Sequence, residues 1–98
     1  MHSHHIAAQA AISEARAHLW AAVKTGAGRR AMEGDIERAD SRLQSAREWL
    51  RGGDDAEALD EIAEALELLR TEESRFIAED PYALDDAIRV LQAMRWDY

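Results

Sequence analysis

Helix-breaking residues cluster at only three places in this chain, and that spacing limits its fold more than any other feature. The places are Gly26–Gly28, Gly52–Gly53 and Asp80–Pro81. Glycine weakens a helix because it has no Cβ to restrict its backbone. Proline stops one because it has no N–H to donate. Between the breaks apolar residues recur every three or four positions, the period of an α-helix. Nowhere do apolar and polar residues alternate in a β-branched run, so no strand is expected.

Four helices follow. The first runs from about Ser3, a suitable N-cap, to Thr25. Ala8, Ile12, Ala15, Leu19, Ala22 and Val23 form one face, while Ala10, Ala17 and Ala21 leave the opposite face small enough for close packing. The second ends at Arg51 and begins at Arg29 or, because Gly34 weakens the earlier start, at Asp35. Ile36, Ala39, Leu43, Ala46 and Leu50 give it a narrow seam of coiled-coil type. The third is expected to run unbroken from Asp55 to Ala78, with Asp54 and Glu57 as a capping box. Leu59, Ile62, Ala65, Leu66, Leu69 and Phe76 line its apolar face, and Glu73 falls inside that face against the pattern. The fourth runs from Pro81 to about Asp97, capped by Asp80, and buries Leu84, Ala87, Ile88, Leu91 and Met94. Short links between long helices favour antiparallel neighbours. The expected fold is an all-α antiparallel bundle of about four helices. It forms one domain over residues 1–98, with residues 1–5 a frayed His-rich end. A chain of 98 residues builds a thin core, burying roughly 60–65% of its unfolded surface, and a homodimer is expected to complete it.

Charge is distributed unevenly. The chain carries a net charge of −8, and residues 54–79 hold ten acids against two arginines, so that one segment accounts for it. Such a field repels nucleic acid and anionic membrane and attracts basic protein surfaces. The cations are eleven Arg and one Lys and the chain has twenty Ala, a bias of GC-rich bacterial or phage genomes. No apolar run reaches the roughly 18 residues of a membrane span, and no secretory segment is recognisable, so a soluble cytoplasmic protein is expected.

Residues 52–69, GGDDAEALDEIAEALELL, resemble the second helix of a tetratricopeptide repeat. The likeness rests on the Gly-Asp entry, Glu57-Ala58-Leu59 and Ala65-Leu66-Glu67-Leu68, and covers less than a fifth of the chain. The expected third helix is about twice the length of a repeat helix. The helix before it lacks the family's Trp/Leu-Gly/Tyr pattern, and no second copy occurs.

The chemistry-bearing residues are few. With no cysteine, disulfides, thiolate metal sites and a cysteine nucleophile are excluded. His2, His4 and His5 are close enough to bind Ni, Cu or Zn, but an uncapped terminus does not hold ligands rigidly. No Glu-x-x-His, the signature of di-iron bundles, occurs. Thr25-Gly26-Ala27-Gly28-Arg29-Arg30 is a glycine-rich basic loop without the ending or the preceding strand of a phosphate-binding loop. The serines lie in or at the ends of helices, with no sharp turn to present a nucleophile.

Two surfaces stand out instead. Glu57, Asp60, Glu61, Glu64 and Glu67 fall within an arc of about 120° on the third helix, at 100° per residue. Trp20, Trp49 and Trp96 lie off the main stripes of their helices, and Trp49 shares a face with Arg38 and Arg42, residue types enriched where proteins bind. The expected role is non-enzymatic and cofactor-free. It is an acidic protein-binding module that inhibits or regulates a partner with a basic surface, for instance in a nucleic-acid-handling complex, as phage or plasmid inhibitors do. A self-associating structural bundle or adaptor, and a metal-binding protein using the N-terminal histidines, are the alternatives.

Overall fold

Most residues of the apolar stripes read from the sequence lie on the buried side of a helix. The computed structural model describes residues 3–23 and 32–96, with side chains for 6–23 and 32–94. It has five helices: α1 (Ser3–Val23), α2 (Gly34–Arg51), α3 (Asp55–Leu69), α4 (Glu72–Ile77) and α5 (Pro81–Trp96). No strand occurs among the described residues. Ile12, Leu19, Ile36, Leu43, Ile62, Leu66, Leu69, Leu84 and Leu91 are completely buried and belong to one core drawn from all four long helices.

The links fix the direction of each helix. Between α2 and α3, Gly53 N–H donates to the Leu50 carbonyl and Asp54 N–H to that of Trp49. These two bonds form a Schellman cap, which needs a residue at positive φ, and Gly53 supplies it at +86°. Asp54 then caps α3 by accepting from Glu57 N–H at 3.1 Å. Asp80 caps α5, its carboxylate accepting from Tyr82 N–H at 3.0 Å and Ala83 N–H at 3.3 Å. Just before α5, the N–H groups of Glu79 and Asp80 both donate to the Ala22 carbonyl at the end of α1. The end of α1 therefore meets the start of α5, and these helices run antiparallel, as α2 and α3 do. The strongest packing is α2 on α3 and α1 on α5.

One expectation is overturned. The third helix is not continuous to Ala78; it stops at Leu69, and a separate turn of helix, α4, follows. The final turn of α3 tightens to i→i+3 bonds, from Arg70 N–H to Glu67 and from Thr71 N–H to Leu68. The Leu68 carbonyl also accepts from the buried Ser74 hydroxyl at 2.7 Å, and Thr71 accepts from Ser74 N–H as the N-cap of α4. The break changes which residues face inward. Ile77 and Ala78 join the core, whereas Phe76, expected to be buried, is 88% exposed. Glu73 swings out of the apolar face, and the anomaly in the sequence pattern disappears. Leu59, at the margin of the α3 stripe, is only half-buried.

The start of α2 also differs from expectation. Glu33 occupies the N-cap without a side-chain bond to the first turn, and Gly34 begins the helix at φ +58°. Asp35 is buried, not capping. A Cβ on Gly34 would lie 2.5 Å from a carboxylate oxygen of Glu73 and 2.7 Å from Ile77 Cδ1, so α4 packs directly on this glycine. At Gly53 a Cβ would meet nothing within 4 Å. Gly53→Ala should therefore cost only its backbone strain, roughly 1–2 kcal/mol. Gly34→Ala should add to a similar strain the cost of turning the Glu73 carboxylate and the Ile77 δ-methyl aside, about 0.5–1.5 kcal/mol. Urea denaturation of the two variants checks the order; a larger loss in Gly53→Ala would show that the approach of α4 to Gly34 does not hold this end.

Candidate binding surface

The hairpin of α2 and α3 brings the two predicted surfaces together. Arg42 and Trp49 project from α2 on the side that faces α3, and Glu61 and Glu64 project from α3 towards them. Arg42 Nη1 lies 3.1 Å from Glu61 Oε1, and Arg42 Nε lies 3.0 Å from Glu64 Oε1. Trp49 Nε1–H donates to the other Glu61 oxygen at 3.3 Å. A guanidinium and an indole thus share one half-buried carboxylate. The acidic row and the Arg–Trp patch, expected to be separate, form one seam across the hairpin. Pairs this exposed contribute only about 0–1 kcal/mol each. Their larger effect is to orient the side chains.

The remaining acids of the row point outward. Glu57, Asp60 and Glu67 are exposed and make no ion pair among the described residues. Beside them the hairpin leaves an open groove of about 830 Å³. Glu37, Arg38, Arg42, Glu64 and Glu67 form its charged rim, with Leu68, Thr71, Ser41 and Ser45 between them. Leu68 is the one apolar residue of this lining.

Arg38 and Thr71 of this lining belong to a polar cluster that sequence reasoning missed. Asp35 accepts from the Thr71 hydroxyl at 2.7 Å and pairs with Arg38, which also reaches Glu73 at 3.4 Å. Arg38 is therefore engaged with α4 and not free beside Trp49. A sequence signal for this cluster existed. Thr71 is followed by Glu72 and Glu73, a good N-cap with two first-turn acids, inside the stretch expected to be continuous helix. Asp40 was missed as well; this buried carboxylate joins α1 to α2 by accepting from Arg16 Nε at 2.8 Å and from Gln44 at 3.2 Å.

The other candidates lie elsewhere. Trp20 is on α1, whose neighbours are α5 and α2, and does not line the groove. His18 and Glu14 form the local pair their spacing allows, at 3.6 Å. His2 lies outside the described residues, as do the side chains of His4, His5 and Trp96 and the loop Thr25–Arg30. Among the described residues no three His, Asp or Glu side chains are placed to hold a metal ion, and no helix is long and apolar enough to cross a membrane. No protein-family model, no curated protein and no solved structure matches the chain. The likeness of residues 52–69 to a tetratricopeptide helix stays local.

The Asp35 carboxyl is held below its ordinary range, first by the Thr71 hydroxyl and then by Arg38. Its unfolded value is close to 3.9. A depressed folded value means that the ionised form stabilises the fold at all pH above the unfolded value. That contribution is lost as pH falls through the folded value. Thr71→Val removes the first donor. The Asp35 carboxyl should then titrate at higher pH in a carbon-detected NMR titration, and acid unfolding followed by circular dichroism should begin at higher pH. An unmoved Asp35 titration would show that Thr71 does not set its ionisation.

Proposed function

We propose that this chain is a non-enzymatic binding module that engages a basic, amphipathic segment of a partner protein along the α2–α3 face, and so inhibits or regulates that partner. The observation that carries the reading is the row of exposed, unpaired carboxylates at Glu57, Asp60 and Glu67 beside a groove with Leu68 between its charged walls. Arg42 and Trp49 fix Glu61 and Glu64 at the groove edge, so less side-chain freedom is lost when a partner docks. The excess negative charge of residues 54–79 raises the encounter rate with a cationic surface and disfavours nucleic acid as the direct ligand. A partner that itself handles nucleic acid, with its basic groove filled by this acidic face, fits these properties.

Asp60 and Glu67 are the residues to change, because reversing Glu61 or Glu64 would also release Arg42. Asp60→Lys/Glu67→Lys should leave stability within about 0.5 kcal/mol of wild type, as exposed substitutions do. In pull-downs from the source cells at equal ionic strength, basic proteins retained by the wild-type chain should bind the double variant at least about tenfold more weakly. Equal retention by both chains would overturn the reading.

A second reading, self-association, is favoured by α1. Ile6, Ala10, Ser13, Ala17 and Trp20 follow 4-3-4-3 spacing on its outer side, and all are uncharged and exposed, Ile6 by 70% and Trp20 by 39%. Under an antiparallel two-fold axis at Ser13 this stripe is self-complementary, with Ile6 against Trp20 of the second copy and small residues at the centre. Sedimentation equilibrium should then show a monomer–dimer equilibrium at micromolar concentration that Ile6→Asp abolishes. A monomer throughout would reject this reading and leave the α2–α3 proposal intact.

A further inference from the structure

On the side of α2 turned away from the groove, the helix carries a second cluster whose charge is opposite to that of the protein as a whole. Gln44, Arg47, Glu48 and Arg51, at i, i+3, i+4 and i+7, share one face of α2, and with Arg16 of α1 they line a cavity of about 210 Å³. Arg16, Arg38, Arg42, Arg75 and Arg89 each pair with a carboxylate. Neither Arg47 nor Arg51 makes an ion pair among the described residues, although the chain is strongly acidic. Arg47 Nε is fully buried with no hydrogen-bond partner. A buried donor without an acceptor is rare in folded proteins, and a charged one is costly to leave unmatched.

The surroundings define what would satisfy it. Asp40, beside Arg16, is already occupied by Arg16 Nε and Nη2 and by Gln44. Arg16 keeps further N–H groups for another acceptor.

We propose that this cavity binds a phosphate group, with Arg47 and Arg51 as its principal ligands and Arg16 as the third. The forks of Arg47 and Arg51 and the N–H groups that Arg16 does not spend on Asp40 can meet the three terminal oxygens of a phosphate monoester, whereas a carboxylate offers only two. Glu48, the acidic residue of the lining, disfavours the dianion and favours a monoanionic phosphate, whose P–OH can donate to it. The site shares no lining residue with the α2–α3 groove, so it stands independently of the proposed partner surface.

The test is a titration of the full chain with inorganic phosphate at constant ionic strength, chloride being the compensating ion, read by the arginine Nε–Hε resonances in proton–nitrogen NMR. Saturable shifts confined to Arg47, Arg51 and Arg16 are expected, with Arg70 and Arg89 unmoved. Arg51→Gln, on an exposed side chain that leaves the fold intact, should weaken phosphate binding by about tenfold, the loss of one charge-assisted pair. Arg47→Gln should do the same, with an unchanged circular dichroism spectrum as control. A parallel titration with O-phosphoserine distinguishes the sources. Tighter binding than inorganic phosphate assigns the site to phosphorylated side chains, and equal binding assigns it to free phosphate. Shifts that do not saturate or that spread equally over all arginines would overturn the proposal. So would phosphate affinity unchanged in Arg51→Gln and Arg47→Gln.

Discussion

The hydrogen bond from Thr71 to Asp35 holds the junction at which α3 ends, α4 begins and α2 starts. It joins positions 36 residues apart and ties the end of α3 to the beginning of α2. With Ser74 turned back onto the Leu68 carbonyl, it replaces the bond that a longer third helix would have made at that point. The chain bends there, and α4 closes the end of the core with Ser74, Ile77 and Ala78. Gly34 is part of the same junction, because only a residue without a Cβ lets Glu73 and Ile77 come so close to the start of α2. Asp35 and Ser74 are buried polar residues at this junction, and Gly34 has no side chain to fill it.

Electrostatics is divided between holding the bundle together and facing solvent. Arg16–Asp40 links α1 to α2, Arg42 links α2 to α3, and Arg75–Asp85 links α4 to α5. Such pairs are individually weak where exposed, but they fix which side of each helix its neighbour sees. After they are formed, the unpaired carboxylates of α3 lie on one side of α2 and the unpaired arginines of α2 on the other. The protein therefore presents two oppositely charged surfaces that its net charge of −8 conceals.

Much of this was legible beforehand. The seam Ile36, Ala39, Leu43, Ala46 and Leu50 is buried as its spacing predicts, and so is the α1 face from Ala8 to Val23. Asp54 and Asp80 cap the helices they precede. The third helix was misread at its end because Phe76 continues the apolar period by coincidence, while the Thr71 cap lies within an otherwise helical stretch. Of the candidate surface, the outward direction of Glu57, Asp60 and Glu67 was readable. The capture of Glu61 and Glu64 by Arg42 was not.

The sequence alone determined where helices could form and which side of each would be buried. Both properties depend on residues three or four positions apart, whose relation is fixed by the helical period itself. Tertiary structure decided where α3 ends, that Asp35 and Asp40 are buried, and which arginines find partners. Those outcomes depend on pairs such as Arg16–Asp40 and Arg42–Glu61, 24 and 19 residues apart. No local period relates them; only the antiparallel register of packed helices brings one within reach of the other.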